Sequence, residues 1–499
     1  MIFSSWLFAA FFTFVFSAYW ALPSRGSRHV LLLIASYVFY MTWNPWLVSL
    51  IVGSTVLDYC VAIGLDRLAS QRNRKLLLVA SVIGNLGILA LFKYADFFIL
   101  SLKSLCETAG VHTNLSTLSI ILPVGISFYT FQTLSYTIDV YRRRIPATRS
   151  FIDFALFVAF FPQLVAGPIV RAADFLPQLR TIKRFDWDRL SSGIVLFLIG
   201  LTKKVIIADS LATLVDPVFA QPDRYVTRDL WIAMFCYGGQ IFCDFSGYTD
   251  MAIAASRVLG FDLCENFRSP YLATSLSDFW RRWHISLSTW LRDYLYIPLG
   301  GSRISRWLTY RNLMITMLLG GLWHGASWTF VIWGAIHGTG LALTKWLSSM
   351  RPTDDPASAA RTESGLARLA QFGTTALCWL STLLVVHFAW VFFRCQPMID
   401  PMTEKLESTS AALARASFFL KHLFVPTQIA EPLWLMNKAP LLCLLAIMMA
   451  IQLYEESIRR GRPRLVLSAP IAGIGYALWI IALTVLAPAD ITAFIYFQF

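Results

Sequence analysis

The sequence predicts an all-α, polytopic membrane protein of roughly eleven to thirteen transmembrane helices, with re-entrant and interfacial helices besides. Two observations carry that prediction. Of 499 residues, 57% are hydrophobic and only 14% charged, too little polar surface to coat a water-soluble globule of this length. The basic residues lie in short clusters between apolar stretches, the pattern that marks cytoplasmic loops. The net charge of +13 arises from these clusters, so it does not argue for nucleic acid as a partner.

Taken in order, apolar stretches fall at about 5–22, 30–43, 46–64, 76–101, 119–140, 190–208, 229–256, 312–323, 326–347, 369–394, 440–455 and 468–487. The first has no positive segment before it and no small-residue cleavage site behind it, so it reads as a retained span. Basic clusters occur at Arg25/Arg28, Arg67 to Lys75, Arg142 to Arg144, Arg281 to Arg311 and Arg459 to Arg464. With those clusters cytoplasmic, the spans alternate and both termini lie outside. Phe151 to Val170 breaks the alternation: it is apolar, yet both flanks are basic, and Phe161-Pro162 and Gly167-Pro168 interrupt a straight helix. A re-entrant hairpin fits it better, and such backbone needs protein or a water-filled cavity around it. Asn266 to Arg311 alternates arginines with aromatics at helical spacing, as an interfacial amphipathic helix on the cytoplasmic face does, with Ser275 or Ser277 as its cap and Gly300-Gly301 closing it. Residues 351–371 read as a polar linker, and 397–437 as an outer-face excursion with an amphipathic portion near 411–424. The whole chain, 1–499, reads as one membrane domain: a core at about 119–347, a polar linker at 348–371, and C-terminal helices over 372–499.

The candidate chemistry rests on a few polar groups in apolar settings. His324 stands near the centre of the apolar run 312–346, and an ionisable group at that depth is expensive to insert unless it has a role. Gly321 and Gly325 have the spacing that lets another backbone approach, and on a continuous helix Ser327 and Trp328 share the face of His324. A neutral imidazole beside Trp323 suits a general base acting on an alcohol, although a helix-packing histidine gives the same pattern. His284, after Trp283, reads by itself as an interfacial histidine, and spacing does not show whether it meets His324. Asp244 and Tyr248 are i,i+4 partners positioned to face a common cavity; Asp58, Asp139 and Lys203-Lys204 read as structural pairs. His337 reads as structural. The eight cysteines form no CxxC pair, and no metal site is indicated. Arg281, Arg282 and Arg292 suit a phosphate-bearing donor, and equally suit anchoring to anionic lipid.

The blocks Phe242-Cys-Asp-Phe-Ser-Gly-Tyr-Thr-Asp250, Asn266-Phe-Arg-Ser-Pro-Tyr271, Asp278-Phe-Trp-Arg-Arg-Trp-His-Ile-Ser-Leu-Ser288, Arg292-Asp-Tyr-Leu-Tyr-Ile-Pro-Leu-Gly-Gly301 and Gly321-Leu-Trp-His-Gly-Ala-Ser-Trp328 resemble the membrane-bound O-acyltransferase superfamily. Within it they are most similar to the branch that holds the alginate O-acetyltransferase membrane subunit. The resemblance runs from about residue 5 to residue 395. It implies helices around a central tunnel, His324 as the essential catalytic residue and His284 as the second, with Trp283, Arg281, Arg282, Asp244, Tyr248, Trp323, Ser327 and Trp328 near the substrate or lining the tunnel. It implies no bound cofactor, acetyl-CoA as the acetyl donor, an exopolysaccharide as acceptor, an outer-face partner protein, and residence in the bacterial cytoplasmic membrane. Two alternatives stand beside this reading. One is transfer of D-alanine to teichoic acid, or acetylation of peptidoglycan or cellulose, by a related enzyme. The other, more distant, is a proton-coupled transporter or flippase, which would be expected to show internal repeats that are not seen here.

Overall fold

The computed structural model describes residues 1–118, 120, 122–165, 167–303, 305–350, 365–397, 407–427, 441–463, 469–486 and 494–495, and the side chains of 365–368 and 469–472 are left aside. The described residues are helical with connecting turns and contain no strand. The chain divides into two compact units: Met1–Lys204 with Phe245–Cys264 and Phe494–Phe499, and Val205–Asp244 with Glu265–Ala493. Much of the expected linker, 351–364, and 398–406 and 428–437 of the expected excursion lie outside the described residues.

The first unit follows the apolar stretches closely. Helices run over Trp6–Ala21, Arg25–Met41, Val48–Arg67, Gln71–Leu89, Ala95–Thr108, Ile126–Tyr141 and Trp187–Leu201. Ser5, Ser24, Ser70 and Asp186 cap four of them, each side chain accepting from a backbone N–H of the first turn. The stretch from residue 119 becomes helical only at Ile126, because Gly125 holds a φ of 74° that L side chains avoid. The segment read as re-entrant is a nine-residue helix, Phe151–Ala159, broken at Phe160 and followed by the short turn Phe161–Leu164. Nine residues rise only about 14 Å, half a bilayer. Its irregular backbone is enclosed by protein: Phe154 to Leu164 are all buried, Phe161 N–H donates to Ser36 Oγ, and Gln163 Nε2 donates to the Phe157 carbonyl.

Structural pairing holds for three of the buried charges. Asp58 accepts from Ser81 Oγ at 2.5 Å, Asn85 Nδ2 at 2.8 Å and Thr137 Oγ1 at 3.1 Å. Lys203 meets Asp250 at 2.9 Å, and Asp139 meets Arg144 at 3.5 Å.

Four described helices are long and apolar enough to cross a membrane: Pro45–Arg67, Gln71–Thr108, Trp187–Ala220 and Leu369–Arg394. That measure does not reach eleven to thirteen. The other long helices, such as Thr227–Val258 and Arg306–His324, carry several charged and polar residues, many of them buried among protein, and a helix enclosed by protein need not be apolar all round.

In the second unit the interfacial helix expected over 266–311 is not continuous, and it is not superficial. It is broken into Leu276–Arg282, Ile285–Leu291 and a wide turn at Arg292–Tyr296. Ser275 caps the first piece, as expected. Trp280, Trp283, Leu287, Trp290 and Tyr294 are buried, so the aromatics anchor the segment in protein and not in lipid headgroups.

The apolar run around His324 also breaks. Arg306–His324 ends at His324, and Trp328–Met350 begins four residues later and returns along it. At two points backbone meets backbone: a Cβ at Gly321 would collide with the Phe330 carbonyl oxygen, and one at Gly334 with that of Met317. Gly325 makes room for the Phe330 ring. His324 is therefore the last residue of a helix whose basic end, Arg306, lies about 27 Å away along the axis, not a residue in the middle of a continuous span.

Candidate active site

His284 owes its position to Asn266. Antiparallel bonds from Arg268 N to the Arg282 carbonyl at 2.8 Å and from Ile285 N to the Asn266 carbonyl at 3.0 Å clamp the chain on either side of it. Between them His284 takes a left-handed conformation, φ 43° and ψ 55°, which costs a non-glycine residue about 1–3 kcal/mol and persists only where the surroundings impose it. Asn266 Oδ1 accepts from Ser286 N at 3.1 Å and Ser286 Oγ at 2.9 Å, and faces His284 Nδ1 at 3.2 Å. A backbone N–H only donates, so it fixes which end of the amide is oxygen. His284 Nδ1 must then carry the proton, and in the neutral ring Nε2 is the acceptor. Burial favours that neutral ring by lowering the imidazole pKa.

The His284 and His324 rings meet, with centroids 6.4 Å apart. Sequence spacing left this open. His284 is fully buried and His324 is 3% exposed. Trp323 lies 6.0 Å from His284 and 5.0 Å from His324, while Trp333 and Phe393 stand edge-on to His324 at 5.0 and 5.2 Å. Trp283 closes the cluster, packed on Phe279, Tyr271 and Trp390. Five chain segments thus bring two imidazoles into an aromatic enclosure. A neutral imidazole can be held away from water at little desolvation cost and still accept a hydroxyl proton as the new bond forms.

Other expected site residues are placed differently. Ser327 is buried, but its hydroxyl meets Thr329 Oγ1 and accepts from Thr329 N, starting the second helix. Trp328 does not share a helical face with His324, because the helix ends between them, and it is 46% exposed. Asp244 and Tyr248 are both buried on the helix Thr227–Val258, but Asp244 belongs to the second unit and Tyr248 to the first, where Tyr248 stacks on Phe3 and Phe494. Arg282 is held by Asp278 at 3.0 Å and Glu456 at 3.1 Å, and Arg292 by Asp293 at 2.7 Å. Arg281 is exposed and has no ionic partner among the described residues. Among the described residues no group of three histidine, cysteine or carboxylate side chains is arranged to hold a metal ion.

His337, read from the sequence as structural, joins the same aromatic cluster. Its ring lies 4.8 Å from Trp333 and stacks on Phe279, and Trp280 Nε1 donates to its Nδ1 at 3.3 Å. The i,i+4 spacing of Trp333 and His337 was the available signal.

The family model for MBOAT, membrane-bound O-acyltransferase family, matches residues 142–373, a span that contains all three of these histidines. The chain is 44% identical over 401 residues to the probable alginate O-acetylase AlgI of Pseudomonas aeruginosa, covering 79% of this chain and 72% of that one. The chain belongs to the membrane-bound O-acyltransferase family. It is also 38% identical over 392 residues to the peptidoglycan O-acetyltransferase of Helicobacter pylori, covering 73% of this chain and 70% of that protein. With the teichoic acid D-alanyltransferase of Streptococcus thermophilus the identity is 28% over 240 residues, 45% of this chain and 57% of that one. Membership makes it a multi-pass membrane enzyme of acyl transfer and sets the transporter reading aside.

Proposed function

We propose that this chain is the membrane O-acetyltransferase of an exopolysaccharide system in the bacterial cytoplasmic membrane. It takes acetyl from a cytoplasmic thioester, acetyl-CoA, and passes it toward polymer hydroxyls such as those of alginate, with an outer-face protein completing delivery. The observation that carries the reading is the meeting of His284 and His324 inside one aromatic enclosure. The similarity to alginate O-acetylases supports the acetyl group and the polysaccharide.

In this mechanism neutral His324 takes the proton of the incoming hydroxyl while its oxygen adds to the thioester carbon. The C–S bond then breaks, and the leaving thiolate recovers the proton from the His324 imidazolium. His284, with Nε2 as its acceptor, receives a hydrogen bond from a donor group of the acceptor molecule beside the reacting hydroxyl and so orients it. Exposed Arg281 contributes to binding the phosphates of the donor at the entrance.

The test is purified protein with labelled acetyl-CoA and an oligosaccharide acceptor, with and without candidate outer-face proteins. Acetyl transfer with release of free thiol is the expected result. Turnover of a D-alanyl thioester and not of acetyl-CoA would replace this reading with the D-alanylation alternative.

A further inference from the structure

His284 and His337 are locked in opposite tautomers. The indole N–H of Trp280 can only donate, so the nitrogen it faces, His337 Nδ1, is bare, and the proton of the neutral ring sits on Nε2. His337 is fully buried, and its Nε2–H has no hydrogen-bond partner among the described residues. One turn earlier on the same face, Trp333 is 1% exposed and its Nε1–H is likewise without a partner. The two rings lie 4.8 Å apart, and Trp333 stands 5.0 Å from His324. A buried donor left without a partner is destabilising, because it has lost its water and gained nothing in return. Two on adjacent rings beside a candidate base are a place for an acceptor oxygen.

We propose that Trp333 Nε1–H and His337 Nε2–H form a donor pair for the acyl carbonyl oxygen, a further pair of substrate-contacting residues that rests on the acyl-transfer reading above. The chemistry requires such a pair. When the hydroxyl oxygen bonds to the thioester carbon, the carbonyl π electrons move onto oxygen, and the resulting anion needs donors in a site closed to water. His284 cannot serve, because its Nε2 is an acceptor. His324 is occupied by the proton it removes. As the intermediate collapses, the carbonyl re-forms and the C–S bond breaks, so the donor pair is unchanged over the cycle.

The experiment compares wild type with Trp333→Phe, His337→Phe and His337→Gln, each purified in detergent and checked for a single gel-filtration peak. Phe keeps the aromatic packing and removes the N–H, whereas Gln restores an N–H near the position of Nε2. The expected result is a kcat for acetyl transfer about 10²-fold lower in both Phe variants, KM for acetyl-CoA within about threefold, and substantial recovery in His337→Gln. Wild-type turnover with both Phe variants within twofold of it in kcat overturns the donor pair and leaves the acyl-transfer reading standing; absence of turnover in wild type overturns both. Should the Phe variants fail to fold, wild type is bound to a CoA thioether ketone labelled at its carbonyl carbon. A carbonyl stretch moved to lower frequency than in water supports the pair, and a stretch at or above the aqueous value contradicts it.

Discussion

Around Asp58, in the first unit, the carboxylate receives Ser81, Asn85 and Thr137, and Asn85 in turn accepts from Ser54 at 2.7 Å. Around His324, in the second unit, aromatic faces dominate, and the N–H groups of Trp333 and His337 and the Nδ2 of Asn266 have no partner among the described residues. Both clusters are buried and polar, yet only the first is complete. A completed network has spent its hydrogen bonds on holding Val48–Arg67, Gln71–Leu89 and Ile126–Tyr141 in register. An incomplete one keeps capacity for a ligand, at a cost in stability. Burial alone does not separate the two, whereas the state of the hydrogen bonds does.

The sharpest way to divide stability from chemistry is His284→Asn. Asparagine tolerates the left-handed backbone better than histidine does, so the melting temperature should hold or rise while transfer falls about 10³-fold. Retained activity would remove the His284 ring from the reaction. At the first cluster Asp58→Ala should do the reverse. It strands three buried donors and should cost about 3 kcal/mol, read as lost membrane abundance and a lower thermal midpoint in detergent, with activity per folded molecule within twofold of wild type. Gly321→Ala drives a methyl into the Phe330 carbonyl and should cost about 2 kcal/mol; because it shifts the helix that ends in His324, it should lower both stability and kcat. Arg281→Ala should leave stability within about 0.5 kcal/mol and raise KM for acetyl-CoA a few-fold. An unchanged KM would return Arg281 to the role of a lipid anchor.

Much of this was legible in the residues. The expense of burying an imidazole singled out His324, and the proline and glycine steps after Phe160 announced an interrupted, protein-enclosed element. What spacing could not show was which rings the reversal between 312–323 and 326–347 brings together. The break at Gly325 removes Trp328 from His324 and brings in Trp333, nine residues on. Nor does a non-glycine left-handed residue announce itself. His284 looked interfacial because the clamp from Asn266, eighteen residues earlier, is made through backbone bonds that no periodicity encodes. His337 looked structural for the same reason, since its partners Trp280 and Phe279 arrive from a segment read as lying on the membrane surface.

In the proposed mechanism the paired histidines of the second unit carry the chemistry. This is tested most directly by measuring polymer acetylation in cells expressing His324→Ala at wild-type membrane abundance. Acetylation should fall to background, a loss of about 10³-fold or more. Wild-type acetylation at equal abundance would contradict it and make His324 a packing residue of the hairpin.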